Sequence, residues 1–340
     1  MKKIKWNFEP VFILLLFFIL LLFPFIVKNP YLIDTAITVL LFAFLGNAWN
    51  IVGGLAGQAS LGQAAYYGIG AYISTVLLIK FGISPWIGMI IGAVIASCAA
   101  IVLGYPSLRL KGPYFVFFTI GFAESMRILF LTWEWAEGSR GIIIPFETGF
   151  SKMMFMGKEP YYYIILSFLA LSLAVFYLIQ KSRMGRYCIA IREDDTMAQA
   201  IGINTALYKT LAFAISAALM AIGGTFYAQY VLFIHPNDIM SLNNSLIFML
   251  IAVAGGMGRL FGPLIGALVI MPLWEYFRST FGGRYVGLGI VFAGLVILII
   301  GTAAPYGIIG IWDNIKRKHV RTIQTKIQIE NQVKHNDRSR

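Results

Sequence analysis

The sequence predicts an all-α integral membrane protein of about ten transmembrane helices, with both termini cytoplasmic. Three observations lead there. Of 340 residues, 59% are hydrophobic and 12% charged, where soluble domains carry roughly 25% charged residues. The apolar residues fall into runs of about 20, the length a helix needs to cross a hydrocarbon core of ~30 Å. The basic residues, in turn, collect on one side of those runs.

Taken in chain order, the first run, 10–27, follows Lys2, Lys3 and Lys5. It resembles the start of a signal peptide, but Val27-Lys28-Asn29-Pro30 offers no small-x-small cleavage site, so it reads as a retained first helix. The remaining spans are 32–52, 63–80, 85–104, 113–131, 161–180, 207–230, 244–258, 262–278 and 285–304. The eighth is short enough to be broken or re-entrant. With ten spans and an inside N-terminus, 19 of the 27 Lys and Arg face the cytoplasm and 8 face outward, while Asp and Glu divide 7 to 8. That is the asymmetry of the positive-inside rule, in which acids count little. The expected domain plan is an N-terminal helix over 1–30, a membrane domain over 31–310 and a basic, flexible cytoplasmic tail over 311–340.

The net charge of +12 does not indicate a nucleic-acid partner, because the basic residues lie between apolar runs and in the tail. That placement suits topology and anionic lipid. Cys98 and Cys188 have no Cys-x-x-Cys neighbour, and His235, His319 and His335 are scattered, so neither a metal nor another cofactor is expected. No Gly-x-x-x-x-Gly-Lys-[Ser/Thr] occurs; Gly157-Lys158 lacks both flanks. The chain therefore has no phosphate cradle of its own. No nucleophile elbow or paired catalytic carboxylates appear, which argues against an enzyme.

Between the sixth and seventh spans, the loop 181–206 carries Asp194 and Asp195, residues suited to a helix start, followed by helix-compatible Ala198, Gln199 and Ala200. Gly202 stands where a left-handed C-terminal residue would. A cytoplasmic helix of about two turns is expected over 193–203. From Gly53 to Gly62, small residues and Gln58 crowd out apolar ones. Such backbone is poorly suited to lipid and better buried in protein or lining a water-filled path. Asn47, Asn50, Gln58, Ser60 and Gln63 cluster there, and Asn243, Asn244 and Ser245 open the eighth span. Each alone is more often helix–helix glue; together they are the candidate translocation route. Glu124 and Arg127 sit three apart on one helix, as do Glu275 and Arg278, and can neutralise one another in the membrane. Other small residues, Gly68, Ala71 and Thr75 or Gly262 and Gly266, recur at packing spacing.

These motifs resemble those of the branched-chain amino acid ABC permeases. The resemblance rests on Ala190 to Asn204 with Tyr208-Lys209, and on Gly53 to Tyr72 with its Ser60-Leu61-Gly62. It extends through Leu108 to Phe115 with Thr119, Glu124 and Arg127, the turn Gly138 to Ile142, the run Ala254 to Gly258 with Gly262-Pro263, and Pro305 to Gly310. Arg140 departs from the smaller or polar residue of that turn. The likeness covers most of 46–310 and is nearest the M-type subunit. It implies the ABC importer permease fold in the inner membrane. It further implies a second, homologous permease, two ATPase subunits that hydrolyse the ATP, and an extracytoplasmic binding protein. The coupling segment it carries over comprises Glu193, Asp194, Met197, Ala198, Ala200 and Gly202. Branched-chain amino acids are the implied cargo, with urea, short amides or other amino acids as alternatives within the family. An ion-coupled secondary transporter and a lipid-modifying membrane enzyme are the readings outside it.

Overall fold

A computed structural model describes residues 19–107, 112–281 and 307–308. Helix α1 (19–26) is followed by α2 (Pro30–Asn50), α3 (Gln63–Phe81), α4 (Pro85–Ser107), α5 (Pro113–Thr132) and α6 (Glu159–Lys181). Two helices too short to span, α7 (Arg183–Glu193) and α8 (Asp195–Ala200), precede the 27-residue α9 (Thr205–Val231). Then come α10 (Pro236–Ile239), α11 (Leu242–Gly255) and α12 (Gly262–Phe281).

Among the described residues, seven segments are long and apolar enough to cross a membrane: 30–55, 63–81, 85–102, 113–132, 159–181, 205–231 and 236–255. They correspond to the second through eighth expected spans. The ninth, 262–278, is helical, with an apolar stretch of Gly262–Tyr276. Half of the first, 10–18, and all of the tenth lie outside the described residues, as does the basic tail.

Start and stop signals set the boundaries. Proline opens α2, α4 and α5, where its missing N–H costs nothing. Asn29 caps α2 by accepting the Tyr31 N–H at 3.0 Å, and Asn204 caps α9 by accepting that of Leu207 at 3.1 Å. Gly82 ends α3 in the left-handed region, at φ +66°.

Helices α3, α4 and α9 pack together on one side; α2 is surrounded by α6, α9, α11 and α12. Buried polar residues sit where small residues let backbones meet. A Cβ at Gly224 would lie 1.8 Å from the Tyr67 carbonyl oxygen, and one at Gly70 would lie 2.1 Å from that of Ala221. Without a hydrophobic driving force between helices in lipid, such close approach is what holds them. By contrast α4 and α5 turn apolar side chains outward, among them Ile90, Val102, Tyr114 and Phe117. In water that surface would be costly; in a bilayer it faces its own kind.

The connections gather at two ends. At one, 51–62, 183–204 and 256–261 meet. At the other, 133–158 covers the helix ends through a two-stranded antiparallel pairing, β1 (Ile142–Ile143) with β2 (Phe233–Ile234). Trp86 Nε1 donates to Phe150 O at 2.9 Å there, and Lys158 pairs with Asp34 at 2.8 Å. Within the eighth expected span, 244–258, the helix runs unbroken to Gly255; a break lies before it, where α10 stops at Ile239 and Ser241 starts α11 by accepting the Asn244 N–H.

Candidate functional site

The segment after α2 does not continue as α-helix. Gly53 and Gly54 let residues Ile51–Leu55 widen into a π-turn, buried throughout, with Ala56 N–H bonded to Ile51 O at 3.3 Å. Such widenings mark functional positions in helices. Trp49 lies across Gly53, where a Cβ would fall 2.1 Å from its ring, and its Nε1 donates to Ser60 O at 2.8 Å. Beyond it, residues 56–62 have no regular structure until α3 begins.

Backbone groups freed by this break find partners on other helices. Leu61 N–H donates to Thr119 Oγ1 of α5 at 3.1 Å, and Ala64 N–H donates to Ser245 Oγ of α11 at 3.0 Å. Asn50 uses both ends of its amide: Nδ2 donates to Arg259 O at 3.0 Å, and Oδ1 accepts the Gly258 N–H at 2.8 Å. Asn47 donates to Ser172 of α6 at 3.1 Å, and Ser216 of α9 donates to Ala48 O at 2.7 Å and reaches Gln63 Oε1 at 3.4 Å. The Gly-rich turn 255–258 is equally crowded. A Cβ at Gly262 would meet Gly256 O at 2.2 Å, and one at Gly307 would meet Gly256 Cα at 2.4 Å.

The candidate route residues therefore gather around one broken segment, but they divide by exposure. Asn47, Asn50, Ser60 and Gln63 are buried inside the chain and engaged with its own helices. Gln58 and Asn244 are partly exposed; Gln58 bonds locally to Ala56 O, and Asn244 closes the α10–α11 break by donating to Asp238 O and Ile239 O. Ser172 and Ser216 escape the sequence reading because a lone hydroxyl in an apolar run carries no periodic signal, whereas Ser245 stands among the candidate route residues and Thr119 among the family motifs. Glu124 and Arg127 form the i, i+3 pair, with Arg127 Nε donating at 2.9 Å and Asn237 joining as a third partner. The side chain of Arg278 lies outside the described residues.

The second region is the pair α7–α8. Sequence reading expected one helix of about two turns over 193–203; the structure has two. Helix α7 falls within the expected loop 181–206 because its charge hides an apolar stripe, Gly185, Cys188 and Ile191, spaced three apart and buried against α6 and α9. Ser182 caps it, accepting the Gly185 N–H at 3.3 Å. Burial pushes the Cys188 thiol up to about 11, so it stays protonated and inert at neutral pH. Helix α8 spans only Asp195–Ala200. Asp194 Oδ1 accepts from Thr196 N at 2.9 Å and Met197 N at 3.0 Å, and Gly202 closes the turn at φ +86°.

One face of α8 is fixed to the membrane domain. Ala198 is 2% exposed, Gln199 Nε2 donates to Thr205 Oγ1 at 3.0 Å, and Asp195 forms an ion pair with buried Lys209 of α9 at 3.1 Å, without the alignment of a hydrogen bond. The other face is open: Met197 is 69% and Ile201 75% exposed, with Glu193 and Ala200 also at the surface. Apolar side chains held rigidly in water are a docking signature.

Fold and site together define an all-helical, multi-pass membrane protein with a broken polar segment inside and a short apolar-faced helix pair at one end. Residues 31–301 match the family described as branched-chain amino acid transport system / permease component, and the chain belongs to that family. It is 30% identical to the high-affinity branched-chain amino acid transport system permease protein LivM of Escherichia coli K12, covering 86% of this chain and 73% of the relative. It is 28% identical to LivH of Salmonella typhimurium (79% and 91%) and to BraD of Pseudomonas aeruginosa (79% and 91%), both bearing the same high-affinity permease description. No solved structure matches the chain.

Proposed function

We propose that this chain is a pore subunit of an ATP-driven importer that moves branched-chain amino acids across the inner membrane, and that α8 is its contact with the ATPase. The single observation carrying this reading is α8 itself: six residues capped by Asp194 and pinned by Ala198 and Lys209, offering Met197 and Ile201 to a partner. A short helix fixed on one side and seated in a partner's groove on the other moves as a rigid element. Glu193, Asp194, Met197, Ala198, Ala200 and Gly202 form this coupling segment; Asp194, Ala198 and Gly202 shape it, and the others meet the partner. The matches to relatives named LivM and LivH support pairing with a second, homologous permease. A binding protein on the opposite face completes the assembly.

Within the membrane domain, taken as 31–310, the buried amides Asn47, Asn50 and Gln63 with Ser60 brace the broken segment beside the route, and Gln58 and Asn244 are its accessible members. Of the N-terminal segment 1–30, residues 19–26 are helical; the start of the expected first span, 10–18, and the basic tail, 311–340, lie outside the described residues. Glu124–Arg127, with Asn237, is a neutralised structural pair.

The test is uptake in proteoliposomes containing both permeases, the ATPase and the binding protein. Labelled leucine should enter only with ATP, and leaving out this chain should abolish entry. Entry driven by an ion gradient in the absence of ATP would replace this reading with a secondary transporter.

A further inference from the structure

A carbonyl group inside a membrane protein needs a partner, because lipid offers none. In an unbroken α-helix the Gly54 carbonyl would accept from the N–H of Gln58. At the π-turn, Gln58 N–H instead donates to Val52 O at 3.1 Å. The Gly54 oxygen is taken by a distant group: Arg192 Nη1, at the end of α7, donates to it at 2.8 Å. The guanidinium is held from its other side by Glu193, with Nη2 to Oε1 at 2.9 Å.

The surroundings are built to admit this one side chain. A Cβ at Gly57 would lie 2.6 Å from Arg192 Cγ, and one at Gly258 would lie 2.8 Å from Nη1. Both glycines also hold positive φ, +67° and +73°, so no larger residue fits either need. Gly258 N–H in turn bonds Asn50 Oδ1, the residue just before the π-turn. Arg192, its side chain 36% exposed, therefore reaches from the surface to the point where α7, the broken segment and the α11–α12 turn converge.

We propose that Arg192 is the positioning residue that transmits movement of the α7–α8 pair to the break in α2, and so links ATP hydrolysis to opening of the route. The proposal rests on the reading of α8 as the ATPase contact. Arg192 adjoins that helix in sequence but points the other way, into the membrane domain. The charge-assisted bond to Gly54 makes the π-turn follow α7, and Asn50 carries the same displacement to α11 and α12. The ion pair of half-buried Asp195 with buried Lys209 attaches α8 to α9 and keeps the short helices from rotating freely.

The experiment compares Arg192→Met, which fills the space without a donor, with Arg192→Lys, which retains one donor for the Gly54 carbonyl. Both are measured in the complete reconstituted complex as leucine taken up per ATP hydrolysed. Arg192→Met should still bind the ATPase and hydrolyse ATP, yet lose about tenfold in uptake per ATP, the scale of one charge-assisted hydrogen bond. Arg192→Lys should stay within about twofold of wild type, since a charged donor to that oxygen remains. A merely structural role would lower amount and activity together and leave the ratio unchanged. The proposal is overturned if Arg192→Met keeps the wild-type ratio, if Arg192→Lys is as uncoupled as Arg192→Met, or if Arg192→Met alone fails to accumulate. A wild-type complex without ATP-dependent uptake would instead overturn the functional reading beneath it.

Discussion

Gly224→Leu should leave almost no folded permease in the membrane, while Gly121→Leu should accumulate like wild type. The contrast follows from what each position faces. At Gly224 an added Cβ would sit 1.8 Å from the Tyr67 carbonyl oxygen and 3.1 Å from the Ala71 nitrogen, both backbone atoms of α3 that cannot turn aside. The helices would have to separate, and with them Thr225 Oγ1, which donates to Gly70 O at 3.1 Å, and the Ser216 contact with Gln63 Oε1 at 3.4 Å. Overpacking a tight core costs roughly 1–3 kcal/mol when side chains can adjust; a backbone clash along one of the longest interfaces leaves less room to do so. Around Gly121, on the outward side of α5, nothing lies within 4 Å of the added atom. Detergent size-exclusion profiles of the two tagged variants, with Gly224→Ala as an intermediate, check this. A monodisperse Gly224→Leu peak of wild-type height would contradict the packing described here.

The second large effect belongs to the exposed face of α8. Replacing Met197 and Ile201 together by aspartate should leave the permease inserted, because neither side chain supports the chain's own core, but remove both ATPase binding and uptake. Central apolar anchors at interfaces are worth about 2 kcal/mol or more each, and a desolvated carboxylate adds a further penalty. The combined loss corresponds to an affinity at least roughly 100-fold weaker. Co-purification of the tagged ATPase, measured beside leucine uptake, reads both outcomes. Retained binding with normal uptake would mean that the partner docks elsewhere.

Much of the architecture was legible because lipid imposes simple rules. Apolar runs of spanning length located most elements, Asp194 and Gly202 bounded the short helix between the sixth and seventh spans, and the crowding of small residues at 53–62 pointed to the break. What escaped notice depended on tertiary partners. Helix α7 reads as a basic loop until α6 and α9 cover Gly185, Cys188 and Ile191. Nothing local reveals that Arg192 reaches a carbonyl 138 residues away, or that Lys209, nominally within a span, is buried opposite Asp195. The polar cluster illustrates the same limit: composition grouped Asn47, Asn50, Ser60 and Gln63 correctly in space, but only packing shows that their side chains face neighbouring helices of this chain.

The claim on which the account turns is that the open face of α8 lies in the cytoplasm and is covered by an ATPase. A single cysteine at Ile201→Cys, in a Cys98→Ala background where Cys188 stays buried and protonated, tests it with a membrane-impermeant maleimide. The account predicts labelling in inside-out vesicles, none in right-side-out vesicles, and loss of labelling when the ATPase subunits are added. Labelling from the outside, or labelling unchanged by a bound ATPase, would contradict it.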